Sequence, residues 1–533
     1  MLTARTRGGQ LRMMPLAILP LLAAAYPVLF LFAQNVAEQV TLQPLWLPLG
    51  ASVLGGVAAL LVGRAVLGEW PRGALMASFA IALFFTFGHA WNLLGELLVD
   101  RRWLMIAYAL IALAGGYLIW RGGRWVTPLS RFLAVMLAIG VAINAWDIAS
   151  FTLRGGDVRA TVESPIELSV GEHGRPDIYF LVMDRYAGAE TLREQFGYDN
   201  SPFLDALRER GFSIAEDAWA NYLKTALSLA STLTMDYLDG RAMAASAERG
   251  REVVEAYEIL RGHLPVPAAL QSLGYEYVHL ASYWEPTGTN PYADRVIGSS
   301  RGDQFSSALL STTLLSLLSP PLEPGERTIE LWGTGKEFTI RQFGHLAQLV
   351  ELDGPTFVFA HFLVPHPPYY FDVDGSTPTE EERAERTEEE EYVRQLRWTN
   401  EQLIDVLDTL LDVPPDEQPI IVLAADEGPF PAEFGDDERD FAWLEASAEQ
   451  VERKYAILNS IRLPGIDPAH VGFNAHSSPV NTFRYVFNAY FDANLPILPD
   501  RTFLSPDYWR LYDFVEIERT DDGEPILPDG RAE

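Results

Sequence analysis

Five uninterrupted apolar runs, at residues 15–33, 45–67, 74–98, 103–120 and 128–152, dominate the first part of the chain. Each reaches the roughly 20 residues a helix needs to cross a hydrocarbon core about 30 Å thick, so the pattern predicts five transmembrane helices. A cleaved secretion signal ahead of a soluble protein would show one such run. The short connections set the orientation. Arg5, Arg7 and Arg12 precede the first run, Arg64 and Arg72 follow the second, and Arg121, Arg124 and Arg131 lie at the gap between the fourth and fifth. The alternate connections hold Glu38 in one case and Glu96, Asp100, Arg101 and Arg102 in the other. Arginine-rich loops stay in the cytoplasm, which puts the N-terminus there and, with an odd number of spans, the chain beyond residue 153 in the periplasm or outside the cell.

Polar residues inside the runs are few. His89, Asn92 and Glu96 share a helical face in the outer half of the third run, and Asn144 and Asp147 lie toward the outer end of the fifth. Two readings stay open: a pocket for a lipid headgroup, or interfacial hydration and helix-to-helix hydrogen bonding.

Beyond residue 155 the pattern changes to short β-rich runs separated by helical stretches, the signature of an α/β domain with a mostly parallel central sheet covered by helices. Strands are expected at 177–183, 276–281, 356–362, 420–425 and 455–461, and helices at 202–210, 226–238, 253–260, 380–411 and 480–491. The acidic stretch 380–391 reads as a solvated helix face. The organisation expected is a membrane domain over 1–153, a linker over 154–173 and an extracytoplasmic domain over 174–533.

Charge sharpens this division. The whole chain of 533 residues carries −32, yet residues 1–154 hold 11 Arg, no Lys and five acids, so the deficit belongs entirely to the second part. Such acidity argues against a nucleic-acid partner, which requires a basic stripe. The absence of cysteine excludes disulfides, thiolate zinc sites and cysteine nucleophiles.

Candidate chemistry gathers at strand ends, where open α/β sheets place their sites. Asp184 follows one predicted strand, Asp426 and Glu427 follow another, and His361 and His366 lie at and just beyond the end of a third. Carboxylates and imidazoles at three strand ends point to a divalent metal ion that stabilises charge on a phosphoryl or similar group.

The order of four segments resembles the alkaline phosphatase and sulfatase superfamily: Pro176-Asp177-Ile178-Tyr179-Phe180-Leu181-Val182-Met183-Asp184, then Asn200-Ser201-Pro202-Phe203-Leu204-Asp205-Ala206-Leu207 with Gly211-Phe212, then the run from Thr225 to Thr234, and last Ala425-Asp426-Glu427-Gly428. Thr225 stands where the sulfatase signature places its nucleophile. Formylglycine formation needs Cys or Ser and a nearby Arg, where this chain has Thr225 and Leu229, and a Thr is the pattern of the lipoteichoic acid synthases and phosphoethanolamine transferases. Those branches also carry about five N-terminal spans. The resemblance implies metal ligation by Asp184, Thr225, Asp426 and Glu427, the last where the family has His. Replacing that His makes an all-oxygen site, favouring Mn2+ or Mg2+ while admitting Zn2+ or Ca2+.

The implied reaction has Thr225 attack phosphorus and His366 protonate the leaving group, with a phospholipid or envelope glycan as substrate. His361 reads as a core histidine or one that orients a ligand, while His476 and Lys224 are candidates for substrate contact. Three functions follow: transfer of a phospho-alcohol headgroup from a lipid to an envelope acceptor, hydrolysis of a phosphodiester on the same scaffold, or a catalytically silent binding protein.

Overall fold

The computed structural model describes residues 17–36, 42–94, 101–155, 166–246, 253–298, 304–318, 335–352, 354–431, 441–520 and 525–526. The chain divides into two compact units. One comprises Met1–Asp157 with Arg301–Trp332, and the other Val158–Ser300 with Gly333–Glu533.

The helical unit contains α1 (Leu19–Gln34), α2 (Gln43–Leu67), α3 (Trp70–Leu94), α4 (Arg101–Trp120) and α5 (Val126–Gly155). Four of them, α2 to α5, are long and apolar enough to cross a membrane. The first predicted span is shorter: α1 has 16 residues, and at 1.5 Å per residue a helix of that length covers only about 24 Å. Its Pro20, Ala24, Val28 and Phe32, spaced four apart, are all buried. Half of the most apolar stretch of α3 is buried, whereas α2, α4 and α5 leave Leu54, Val66, Leu113 and Trp146 exposed, as lipid-facing residues would be. Small residues let α2 and α3 approach closely: a Cβ on Gly63 would lie 2.6 Å from the Gly73 carbonyl oxygen. His89 and Asn92 are exposed on α3, Asn144 is buried on α5, and Glu96 lies outside the described residues.

Residues 304–318 fall between sheet strands in sequence but group with the membrane helices. A short helix, Gln304–Ser311, and a 3-10 turn, Leu314–Leu318, lie there. Phe305 and Leu309 join an apolar cluster with Val28, Phe32, Ile81 and Phe85, and Phe305 meets Phe32 edge-on with ring centroids 5.1 Å apart. The Gly88 N–H donates to the Thr312 carbonyl at 3.0 Å.

The second unit is built on a seven-stranded sheet in the order β2-β7-β6-β1-β5-β3-β4. Its strands are β1 (Ile178–Met183), β2 (Ser213–Ile214), β3 (Glu276–Leu280), β4 (Arg295–Ile297), β5 (Thr356–Phe362), β6 (Ile420–Ala425) and β7 (Asn459–Arg462). The five from β6 to β4 in that order run parallel, while β7 is antiparallel to both neighbours. Every residue of β1, β5 and β6 is buried, which explains their nearly continuous apolar sequences: helices cover both faces of a central parallel strand. A three-stranded sheet, β8 (Thr502–Leu504), β9 (Val515–Arg519) and β10 (Pro525–Ile526), completes the unit.

Two predicted elements differ. Tyr455 ends a helix, Ala448–Tyr455, whose capping box at Ser447 and Gln450 starts it, so the strand expected from 455 begins at Asn459. The expected helix 380–411 is two, because Thr387 and Glu390 form a second capping box eight residues after the first at Thr379 and Glu382. The acidic stretch expected to be a solvated face is not wholly so: Glu391 is buried and pairs with Arg386 at 3.0 Å.

Candidate metal and nucleophile site

Register brings the site together. Met183 of β1 pairs with Ala425 of β6 and Phe362 of β5, so Asp184 and Asp426 follow side by side. His361 pairs with Val182, two residues before Asp184, and alternation along a strand places all three side chains on one face of the sheet. Among the described residues, Asp184, His361 and Asp426 form the group of three able to share a metal ion, with one ligand atom from each within 4.8 Å of the others.

Burial makes this group costly as it stands. Asp184 Oδ1, His361 Nε2 and Asp426 Oδ2 are buried without hydrogen-bond partners, and His361 Nε2 lies 3.8 Å from Asp184 Oδ2. Burial, then the neighbouring Asp426, raises the Asp184 pKa well above the usual carboxylate range. Burial raises Asp426 as well, opposed by the nearby Thr225 hydroxyl and by a hydrogen bond from the Arg185 N–H. Burial pushes His361 down to about 3, so its ring is neutral. Orphaned oxygens and a neutral imidazole nitrogen converging on one point fit a divalent cation.

Thr225 opens helix α6 (Thr225–Thr234), whose apolar positions are buried. That placement brings its hydroxyl near enough to Asp426 to lower the pKa of that carboxyl. Lys224, the extended residue before it, loses enough hydration to lower its pKa to about 7, opposed by the charge of Glu427. Glu427 does not join the group of three. Its Oε1 lies 2.8 Å from Lys454 Nζ and 3.6 Å from Arg185 Nε. The ammonium of Lys454, buried and pushed down to about 8, lies 3.5 Å from the Phe430 ring centroid, with Arg185 at 4.2 Å and Lys224 at 5.1 Å. Three cations thus surround one ring beside the carboxylates. The converging donors therefore include an imidazole, whereas the oxygen cage expected from Glu427 would not.

His366 is partly buried nearby. Burial, with the charges of Arg185 and Lys454, holds its pKa well below the ordinary value, so the neutral ring is poorly suited to donating a proton. The structure places His476 elsewhere, exposed and paired with Asp217 at 2.6 Å. Sequence reasoning missed Arg185, Lys454 and Phe430. Arg185 had a signal in its position after Asp184, and its φ of 62° is a strained conformation for a residue with a side chain. Lys454 had none, being 27 residues from Glu427 and delivered by a helix end.

The sulfatase family model matches residues 178–461, more than half of the chain. No curated protein matches it by sequence. Among solved structures, the integral membrane lipooligosaccharide phosphoethanolamine transferase A of Neisseria meningitidis aligns over 90% of this chain and 95% of its own, at 13% identity and a TM-score of 0.39. The C-terminal periplasmic domain of EcEptC from Escherichia coli, in complex with Zn, aligns over 64% and 93%, at 10% identity and a TM-score of 0.40. The phosphonate monoester hydrolase of Agrobacterium radiobacter aligns over 62% and 80%, at 16% identity and a TM-score of 0.39.

Proposed function

The chain belongs to the sulfatase family, and on that premise we propose that it is a membrane-anchored, metal-dependent transferase that moves a phospho-alcohol headgroup from a lipid donor to an envelope acceptor through Thr225. The observation that carries this reading is the convergence of three buried ligand atoms without hydrogen-bond partners, from Asp184, His361 and Asp426, beside the Thr225 hydroxyl, which lowers the Asp426 pKa. Asp184, His361 and Asp426, with the Thr225 oxygen, would hold a divalent ion, which supplies charge stabilisation at phosphorus.

The residues of the chain do the rest. Thr225 Oγ forms the new bond to phosphorus as its proton passes to Asp426, and the donor's alcohol leaves with a proton from solvent. The cations of Arg185 and Lys454, held in place by Glu427, face the developing negative charge of the phosphoryl oxygens. An acceptor hydroxyl then attacks phospho-Thr225 and releases the threonine. The departing threonine recovers its proton from Asp426 and the acceptor's proton passes to solvent, because His366, held neutral beside two cations, is too weak a base to take it.

The test is mass spectrometry of the full-length protein after incubation with a phosphatidylethanolamine donor in detergent. A phosphoethanolamine adduct on Thr225, discharged by a glycan acceptor, supports transfer. Discharge by water alone points to a phosphodiesterase. An unmodified protein that binds no metal would leave the silent binding protein.

A further inference from the structure

Behind His361, away from the carboxylates, a row of hydroxyl groups allows its protons to be counted. Ser282 Oγ donates to the Trp284 carbonyl at 3.0 Å and accepts the Trp284 N–H at 3.1 Å. With its own proton committed, Ser282 accepts from Thr287 Oγ1, 2.7 Å away. With the Ser282 proton on the Trp284 carbonyl, Thr287 has no proton to offer His361 Nδ1 at 2.9 Å and accepts one from it. The donors therefore run in one direction, from His361 through Thr287 and Ser282 to a carbonyl that can only accept.

A second path fixes the backbone of Thr287. His279 Nε2–H donates to the Thr287 carbonyl at 2.8 Å, since a carbonyl cannot donate, and His279 Nδ1 accepts from the Tyr277 hydroxyl at 3.1 Å. The Ser282 N–H donates to the same carbonyl at 3.1 Å. Ser282, Thr287, His279 and His361 are all at most 2% exposed, so water does not compete for these bonds. In this arrangement His361 has a proton on Nδ1 and a bare Nε2 lone pair facing two buried carboxyl groups, which repels them when they are ionised unless a cation lies between.

We propose that Thr287 and Ser282 are positioning residues that lock His361 in its Nδ1–H form and present Nε2 as the nitrogen ligand of a divalent ion shared with Asp184 and Asp426. The inference rests on the metal reading above and extends it to the ion's chemistry. The opposite tautomer would place a proton where the ion must sit. A site with one locked imidazole among carboxylates takes Zn2+, Co2+ or Mn2+ in preference to Ca2+ or Mg2+, which demand oxygen.

The experiment uses the full-length protein in detergent. Calorimetric titration with Co2+ measures affinity, and X-ray absorption of the Zn2+-loaded protein reads the outer-shell scattering of a bound imidazole. Wild type should bind one ion with one imidazole. Thr287→Val should weaken Co2+ binding by about 10- to 100-fold and erase the imidazole signature, because the freed ring can turn over its tautomer. Thr287→Ser, which keeps the acceptor, should restore both, and Ser282→Ala should fall between. Circular dichroism establishes that each variant is folded, and the Ser variant keeps the test decisive if the Val variant is not. Wild-type affinity and an intact imidazole signature in Thr287→Val would overturn the lock while leaving the metal reading standing. Failure of the wild type to bind any ion at stoichiometric level would overturn the metal reading itself.

Discussion

Single residues decide the chemistry, and the buried pair of Glu427 and Lys454 shows how. Both are at most 2% exposed, and their charged atoms lie 2.8 Å apart. Removing one partner from such a pair strands the other, at a cost of about 3–5 kcal/mol. Lys454→Met should therefore destabilise the protein by about that amount in denaturant melts. The double variant Glu427→Gln with Lys454→Met should recover much of it, since no buried charge is left uncompensated. Equal stability of the two variants would show that Arg185 alone neutralises Glu427. The nucleophile behaves differently. Thr225 is partly exposed at a helix start, so Thr225→Ala should cost about 1 kcal/mol or less in stability while abolishing turnover and the covalent adduct. Retained activity in that variant would dispose of the covalent route.

At the scale of elements, the segment around the helix Gln304–Ser311 depends on a glycine. A Cβ on Gly88 would lie 1.9 Å from the Ser311 carbonyl oxygen, with backbone on both sides of the contact, so no rotamer change relieves it. Gly88→Val should displace the segment, and amide exchange across residues 304–318 should rise about tenfold or more, as overpacking usually costs 1–3 kcal/mol. Gly55→Ala, on α2 with nothing within 4 Å of the new methyl, is the control and should leave exchange unchanged. An unaltered segment in Gly88→Val would mean its apolar contacts through Phe305 and Leu309 hold it without the close approach. Local rules explain the other elements well. Thr379, Thr387 and Ser447 each accept from the N–H three residues on, and each start could be located from that spacing once the competing strand pattern was discounted.

For the whole molecule, the arginine-rich connections bear on orientation. A reporter fused after residue 155 should be active only outside the cytoplasm, and one fused near Gly122 only inside. Cytoplasmic activity of both fusions would refute that topology, because the two sites flank α5, whereas a reversal of both would remove the short helix α1, 16 residues long, from the count of spans.

Composition and periodicity by themselves determined the two-part organisation, the central strands and the positions of Asp184 and Asp426, because each depends on local physics. A run of apolar residues must leave water wherever the chain goes, and a strand buried on both faces is apolar throughout. An acid after such a strand is placed by the strand. Tertiary structure alone decided the rest. His361 lies within an apolar strand and reads as a core histidine or one that orients a ligand, and only the pairing of β5 with β1 turns its Nε2 toward the carboxylates. Glu427 follows Asp426 directly, yet the helix that delivers Lys454 draws its oxygen into an ion pair. Residues 304–318 are too short to span a membrane, and their place among the membrane helices rests on contacts with residues more than 200 positions away. Such choices turn on which partner reaches a charge or a ring first in three dimensions, and spacing along the chain holds no record of that distance.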